Sequence, residues 1–322
     1  MTTLTRRGCV AALIALAAPR RSIAQQGRLT RLVIPYAPGG PTDTSARILA
    51  DNLKSFSTFV VENRPGAGGA IAGDYVRRSS PDGGTLGVMV VDELAINPWL
   101  QRRNSQPERP LVPITLLASV PNVLVISRSA ADRLKVDSLA DLISYGKRAP
   151  GQLTYASGGF GSIGHVLGEM LKSEAGFDAL HVPYHGGQPA QVALLASQVD
   201  FAFNTLPTWA EQIKSGLAKA LAVTSAKREP LLSEVPTFGE VFQGFEAETW
   251  WGLMAPAGTS PSIIEGYNRA FVGALNDATV RKRFQDLMIR PSPSTPTEFA
   301  DLISREKARY EKLVSRLGST AN

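Results

Sequence analysis

From residue 31 onward, short apolar runs bounded by Gly, Pro and polar residues alternate with longer stretches in which apolar side chains recur every three or four positions. The first kind predicts buried strands, the second amphipathic helices. Residues 31–36 read as a strand, and 42–56 as a helix with Ala46, Leu49, Ala50 and Leu53 on one face. The unit recurs: strand 59–62 leads through a Gly-rich loop into helix 69–79, and strand 85–91 follows the turn Pro81-Asp82-Gly83-Gly84. Further on come strand 153–157, helix 163–175, strand 180–183, helix 188–196 and strands 199–203, 219–224 and 249–255, with a mostly helical C-terminus from Pro261. Strands alternating with helices predict an α/β fold whose parallel sheets are covered on both faces.

Two stretches depart from this alternation. Residues 114–128 form a long β-like run broken by Pro121-Asn122, and a second β-like segment, 249–256, follows the loop-rich residues 229–248. Two such segments read as crossings between domains. They divide the chain into a discontinuous first domain, 28–120 plus 250–322, around an inserted second domain, 121–249. That arrangement leaves a cleft between domains where strand ends face each other, the usual place for a ligand.

The N-terminus changes the picture of charge and compartment. Residues 1–25 contain Arg6, Arg7, Arg20 and Arg21 and no acid, and they supply four of the formal net charge of +6. The remainder is close to neutral and has no basic block, which disfavours a nucleic-acid partner. Arg6-Arg7, the apolar run 8–18 and Ser22-Ile23-Ala24 have the order of a secretory signal peptide, 1–24, cleaved after Ala24 into the periplasm. Export is by the Sec route or, from Thr5-Arg6-Arg7, the twin-arginine route. Cleavage removes Cys9, the only cysteine, so the mature chain has no disulfide, no thiol nucleophile and no Cys-based metal site. No apolar run is long enough to span a bilayer.

Four loops at strand-to-helix junctions carry candidate chemistry. Residues 35–43 contain Gly39-Gly40 before a helix whose first N–H groups lack internal partners, a site for a carboxylate or phosphate. They equally fit an ordinary turn capped by Thr42 or Asp43. Residues 63–69 form a second Gly-rich entrance, where Arg64 faces an anion or the solvent. In residues 157–165, Gly159, Gly161 and Gly164 spell G-x-G-x-x-G, yet the next strand ends Val182-Pro183-Tyr184 without the acid that would hold a ribose. What survives is a set of backbone N–H groups and the Ser157 and Ser162 hydroxyls aimed at an anion. Residues 183–189 form the fourth loop, and Tyr184 and Asn204 lie at strand ends where side chains reach a cleft.

An exported hydrolase built on Ser162 and His165 is the alternative from another class. Against it, Phe160 stands where a nucleophile elbow needs Gly, and His165 follows Ser162 by three residues on one helix, a spacing suited to loop capping. His165, His181 and His185 lack the spacing of a helical zinc pair. No catalytic residue, metal or cofactor is assigned.

The runs VIPYAPGGPTDTSARILA, VVENRPGAGGAIAGDYV, LTYASGGFGSIGHVLGEMLK, HVPYHGGQPA, QVDFAFNTLP and ALAVTSAKR, in that order, resemble the Bug family, the periplasmic substrate-binding proteins of tripartite tricarboxylate transporters. The resemblance implies a two-domain periplasmic binding protein fold (type II-like) with two crossing segments, acting as a monomer that closes on a small organic acid and delivers it to membrane permease subunits. A receptor feeding a signalling partner is the variant the sequence leaves open. Carried over, the ligand-binding positions are Tyr36, Ala37, Gly39, Gly40 and Asp43 on one side, and Ser157, Gly161, Ser162, Tyr184, Gly186 and Asn204 on the other, with His165 supporting its loop.

The chain departs from the family pattern at several of these places. Phe160 stands where a small polar residue is common, His185 where Lys is frequent and Asn204 where Asp is frequent. Asp92-Glu93 occupy positions usually filled by small Ser- or Thr-like residues, and two acids at a cleft-facing strand end would repel a polycarboxylate. Solvation, or pairing with an arginine, is the other reading of these acids. The expected ligand has one carboxylate against the Gly39-Gly40 or Ser157–Ser162 loop and a less anionic far end.

Overall fold

The computed structural model describes residues 29–100 and 109–319. The expected signal peptide and Cys9 lie outside them. In chain order the regular elements are β1 (Leu29–Ile34), α1 (Pro41–Asn52), β2 (Thr58–Asn63), α2 (Ala70–Arg78), β3 (Thr85–Val90), α3 (Asn97–Leu100) and β4 (Leu111–Ser127). There follow α4 (Arg128–Leu134), α5 (Leu139–Arg148), β5 (Leu153–Ser157), α6 (Ile163–Ala175), β6 (Ala179–Pro183), α7 (Gly187–Leu195), β7 (Phe201–Thr205), α8 (Leu206–Lys214) and β8 (Ala218–Val223). The chain ends with β9 (Glu248–Pro256), α9 (Pro261–Asn276), α10 (Ala278–Asp286), β10 (Arg290–Pro291) and α11 (Pro296–Ser319).

Two groups of strands share one long member. β1 pairs in parallel with β2 and β3, and β9 runs antiparallel between β3 and the first part of β4. From Asn122 on, β4 pairs instead with β7 and β8, both antiparallel, and β5 joins β7 and β6 in parallel. The sheets are therefore mixed and not all-parallel as the alternation predicts. The crossing strands β4 and β9 run against their neighbours, and every βα unit on either side keeps its parallel pairing.

Pro121 does not break the crossing. β4 runs 17 residues without interruption. Pro121 is opposite Glu248, and the next residue, Asn122, is already opposite Thr205. Proline lacks a ladder N–H, so it is tolerated where the strand exchanges one partner for another. A second difference lies after β3, where the strand end expected at Asp92-Glu93 is a π-helical turn, Asp92–Ile96, running into α3. Five consecutive residues of that turn are buried.

The apolar faces predicted by spacing lie inward. Ala46 and Leu49 of the first helix, and Leu53 that ends it, pack with β1, β3 and the β9 residues Trp251 and Leu253. On the other side of the crossing, Ala190 and Leu194 pack with Val123, Val125 and Ala202. α11 lies across both groups: Phe299, Ile303 and Tyr310 share a core with Leu94 and with Ile163 and Val166 of α6. Phe299 meets Trp250 edge-on, with centroids 5.9 Å apart.

Candidate functional site

The first loop is held from within. Pro41 opens α1, where its missing N–H costs nothing, and Gly40 precedes it without a side-chain cap. Gly39 has φ +90°, a conformation that glycine adopts without strain. The Asp43 carboxylate folds back to accept the Gly39 N–H at 3.0 Å, the Arg47 Nε–H at 3.0 Å and an Asn63 Nδ2–H at 3.0 Å. Burial opposes its charge, but these bonds outweigh burial and hold the carboxyl below its ordinary value. Asp43 thus braces the loop. Arg64 is held by groups of the chain itself and does not line the site: its Nε donates to the Glu62 carboxylate at 2.7 Å, and its guanidinium lies 3.6 Å above the Tyr75 ring centroid.

The two acids after β3 have separate fates. Glu93 turns away from the cleft and pairs with Arg77 at 2.5 Å. Asp92 is 1% exposed, accepts the Tyr36 hydroxyl, and accepts the Ile163 backbone N–H at 3.0 Å. Ile163 is the first residue of α6, so a side chain from the β3 side fills an anion position on the β5 side. Burial pushes the Asp92 carboxyl up to about 7, against the bonds from Tyr36 and Ile163. The Tyr36 hydroxyl is raised by burial and by Asp92.

The third loop is closed by its own groups. Ser162 caps α6 by accepting the His165 N–H at 3.3 Å, and its hydroxyl donates to Ser157 Oγ at 3.3 Å. Ser157 Oγ also bonds His181 Nε2 at 2.7 Å. The His165 ring accepts the Gly161 N–H through Nδ1 at 3.4 Å and does not address Ser162. His165 stacks between Phe160, at 4.8 Å, and His181, at 4.2 Å, and Phe160 is 56% exposed on the outer end of this ladder. Burial lowers both histidines, and His181, further opposed by His165, is pushed down to about 3.

In the fourth loop, Gly186 has φ +118° and precedes α7 without a side-chain cap. Asn204 accepts the Thr205 N–H through Oδ1 at 2.8 Å, and its Nδ2 has no partner among the described residues.

A narrow cavity of about 60 Å³ lies where these loops meet. Of the positions singled out in the sequence, Tyr36, Ala37, Gly40, Asp43 and Asp92 line it from one side, and Ser162, Gly186 and Asn204 from the other. Gly39, Ser157, Phe160, Gly161, His165 and Tyr184 are not on its wall. Gly161 packs on Asn97 of the opposing side, where an added Cβ would come within 2.4 Å of the Asn97 amide oxygen.

Sequence reasoning missed Asn122, Thr249 and Trp251, which line the cavity from the crossing strands. The signal was a lone Asn after Pro in an apolar run, read as a break. Asn122 is fully buried, accepts Thr249 Oγ1–H at 2.8 Å through Oδ1, and its Nδ2 has no partner among the described residues. The cavity therefore presents unpartnered N–H donors and two uncapped helix starts, an environment that takes up an acceptor such as a carboxylate oxygen.

Residues 45–319 match the tripartite tricarboxylate transporter family receptor, TctC. The Bordetella pertussis protein BugT is 34% identical over 97% of this chain and 96% of its own length. The structure of the periplasmic binding protein BugD superposes with a TM-score of 0.83, at 31% identity over 90% of this chain and 98% of that one. A Rhodopseudomonas palustris protein solved with adipate gives 0.84 at 32% identity, covering 90% of this chain and 97% of its own, and MatC of the same organism, with bound malate, gives 0.82 at 31%, covering 89% and 99%. The fold is that of the two-domain periplasmic binding proteins. With its cavity between two lobes joined by β4 and β9, the chain belongs to the tripartite tricarboxylate transporter receptor family.

Proposed function

We propose that this chain is a periplasmic receptor that closes two lobes on a small carboxylate and delivers it to the permease subunits of a tripartite tricarboxylate-type transporter, as a monomer and without covalent chemistry. One observation carries the reading. Unpartnered amide donors and the uncapped starts of α1 and α7 converge from both lobes on one cavity that no Lys or Arg among the described residues lines. Adipate and malate, with which the related Rhodopseudomonas palustris structures were solved, agree with that donor set.

Magnitudes support a receptor without a dedicated cation. Micromolar affinity needs about −8 kcal/mol. Four to six bonds to a charged acceptor at roughly 1.5–3 kcal/mol each, with a helix start at roughly 0.3–1, exceed that. Lost ligand freedom and lobe closure offset the surplus. The lobes comprise residues 28–120 with 250–322, and 121–249, and they pivot where β4 and β9 pass between them. Residues 1–24 direct export and are removed. Among the described residues no helix is long and apolar enough to cross a membrane.

The test is a thermal-shift screen of the purified mature chain with mono-, di- and tricarboxylates, since a ligand of the folded state raises apparent stability by mass action. A carboxylate that shifts the transition, with a calorimetric stoichiometry of one, is expected. A protein that no carboxylate stabilises, or that hydrolyses simple esters, contradicts the reading. N-terminal sequencing of the exported protein is expected to begin at Gln25.

A further inference from the structure

We infer that Asp92 is a resident carboxylate that takes the place of one ligand carboxylate, and that the fully buried amide of Asn122 receives the single carboxylate that remains, so the site selects monocarboxylates over the dicarboxylates of matching length. The inference rests on the carboxylate-receptor reading and narrows it.

Three observations combine. First, Asp92 already satisfies the first N–H of α6: its Oδ1 accepts Ile163 N–H at 3.0 Å and its Oδ2 accepts the Tyr36 hydroxyl. A ligand oxygen directed at that N–H would find it already taken by Asp92 Oδ1, and would have to displace a buried bond to reach it. Second, Asn122 is 0% exposed and lines the same cavity with an Nδ2 that has no partner among the described residues. A buried unpartnered donor is costly, so its retention points to an acceptor supplied from outside the chain. Third, the orientation of that amide is fixed. Thr249 Oγ1 donates to Asn122 Oδ1 at 2.8 Å, which leaves the NH2 group of this cavity-lining residue as its unpartnered end. The unpartnered Nδ2 of Asn204, on the neighbouring strand β7, lines the same space. The chain thus offers amide donors at the crossing and a carboxylate of its own at α6, and among the described residues no lining cation balances a second ligand charge.

The experiment is titration calorimetry of the mature chain with matched pairs: butanoate and succinate, pentanoate and glutarate, hexanoate and adipate. Wild type is expected to bind the preferred monocarboxylate at least about ten-fold more tightly than its dicarboxylate partner. Asn122→Asp keeps the shape and the Thr249 bond but replaces the donor with a carboxylate, and is expected to weaken the monocarboxylate about ten- to a hundred-fold, the size of a lost bond to a charged group. Asp92→Ser frees the Ile163 N–H and is expected to move preference toward the dicarboxylate by at least about ten-fold. Asn122→Ser is the second variant should Asn122→Asp fail to fold, with the same direction expected. Equal or tighter dicarboxylate binding by wild type, unmoved by Asp92→Ser, overturns the inference and leaves the receptor reading intact. Unchanged affinity in both Asn122 variants overturns the role of that amide. Binding of no acid in either series overturns the inference, and if no other carboxylate stabilises the chain the receptor reading falls with it.

Discussion

The Asp92 carboxylate and the Ile163 backbone N–H, 3.0 Å apart, join the turn after β3 to the start of α6 across the cleft. The bond ties the two sides of the cleft together through one buried acid. Asp92 titrates in the folded chain at about 7, against an ordinary carboxyl near 4 when unfolded. Between about pH 4 and 7 the folded chain therefore holds a proton that the unfolded chain has lost, and stability conferred at low pH falls as pH rises through that window. The groups facing Asp92 are Tyr36, Glu93 with its partner Arg77, and Tyr310 of α11. Urea denaturation of wild type and Asp92→Asn across this range is expected to show wild type losing stability relative to the variant as pH rises. Parallel curves would contradict it.

Gly39→Val places a β-branched residue at φ +90°, although its Cβ would meet no atom within 4 Å. The strain falls on an exposed loop beside the cavity, so the expected loss is larger in ligand affinity than in stability: about 1–3 kcal/mol of backbone strain at most in unfolding, against about a ten-fold or greater rise in Kd for the acid found by screening. Calorimetry paired with denaturation separates the two.

Thr249→Val removes the hydroxyl that donates to Asn122 Oδ1 and keeps the side-chain shape. It leaves a second buried amide atom of Asn122 without a partner, and a loss of about 1–3 kcal/mol is expected by urea denaturation. The same variant frees the Asn122 side chain to rotate, so weaker ligand binding should accompany the lost stability.

Gly164 is the tightest helical position of the third loop. A Cβ there would come within 2.6 Å of the Phe203 carbonyl oxygen and 3.3 Å of Ser157 Cβ. Gly164→Ala is expected to destabilise the chain by about 1–3 kcal/mol, the range for overpacking, with a lowered Tm in the absence of added acid.

Periodicity located the elements well wherever burial and turn chemistry agreed. Leu153–Ser157 and Ile163–Ala175 coincide with their predicted spans because each is bounded by glycine or a Ser cap. The first helix ends at Asn52, four residues short of the predicted end, since Phe56 closes a tight turn on Leu53 and leaves the helical course. The π-helical turn at Asp92–Ile96 was illegible for a different reason. An acidic pair after a strand suggests water or a ligand, and burial of both acids depends on Arg77, Tyr36 and Ile163, residues far away in the chain. Asn204 was recognisable at a strand end. Asn122 was not, because its role depends on β4 exchanging partners at Pro121, which no local pattern announces.

The uninterrupted course of β4 beside β9 sets the mechanics of the cleft. Two loose tethers would let the lobes swivel freely and find each other by diffusion. Here they are joined by a hydrogen-bonded ribbon in which Thr249 is opposite Val120 and Pro121 is opposite Glu248. A ribbon held by paired hydrogen bonds leaves the two sides less freedom to turn about each other than a pair of single strands would, much as a leaf spring is stiffer in twist than a cord.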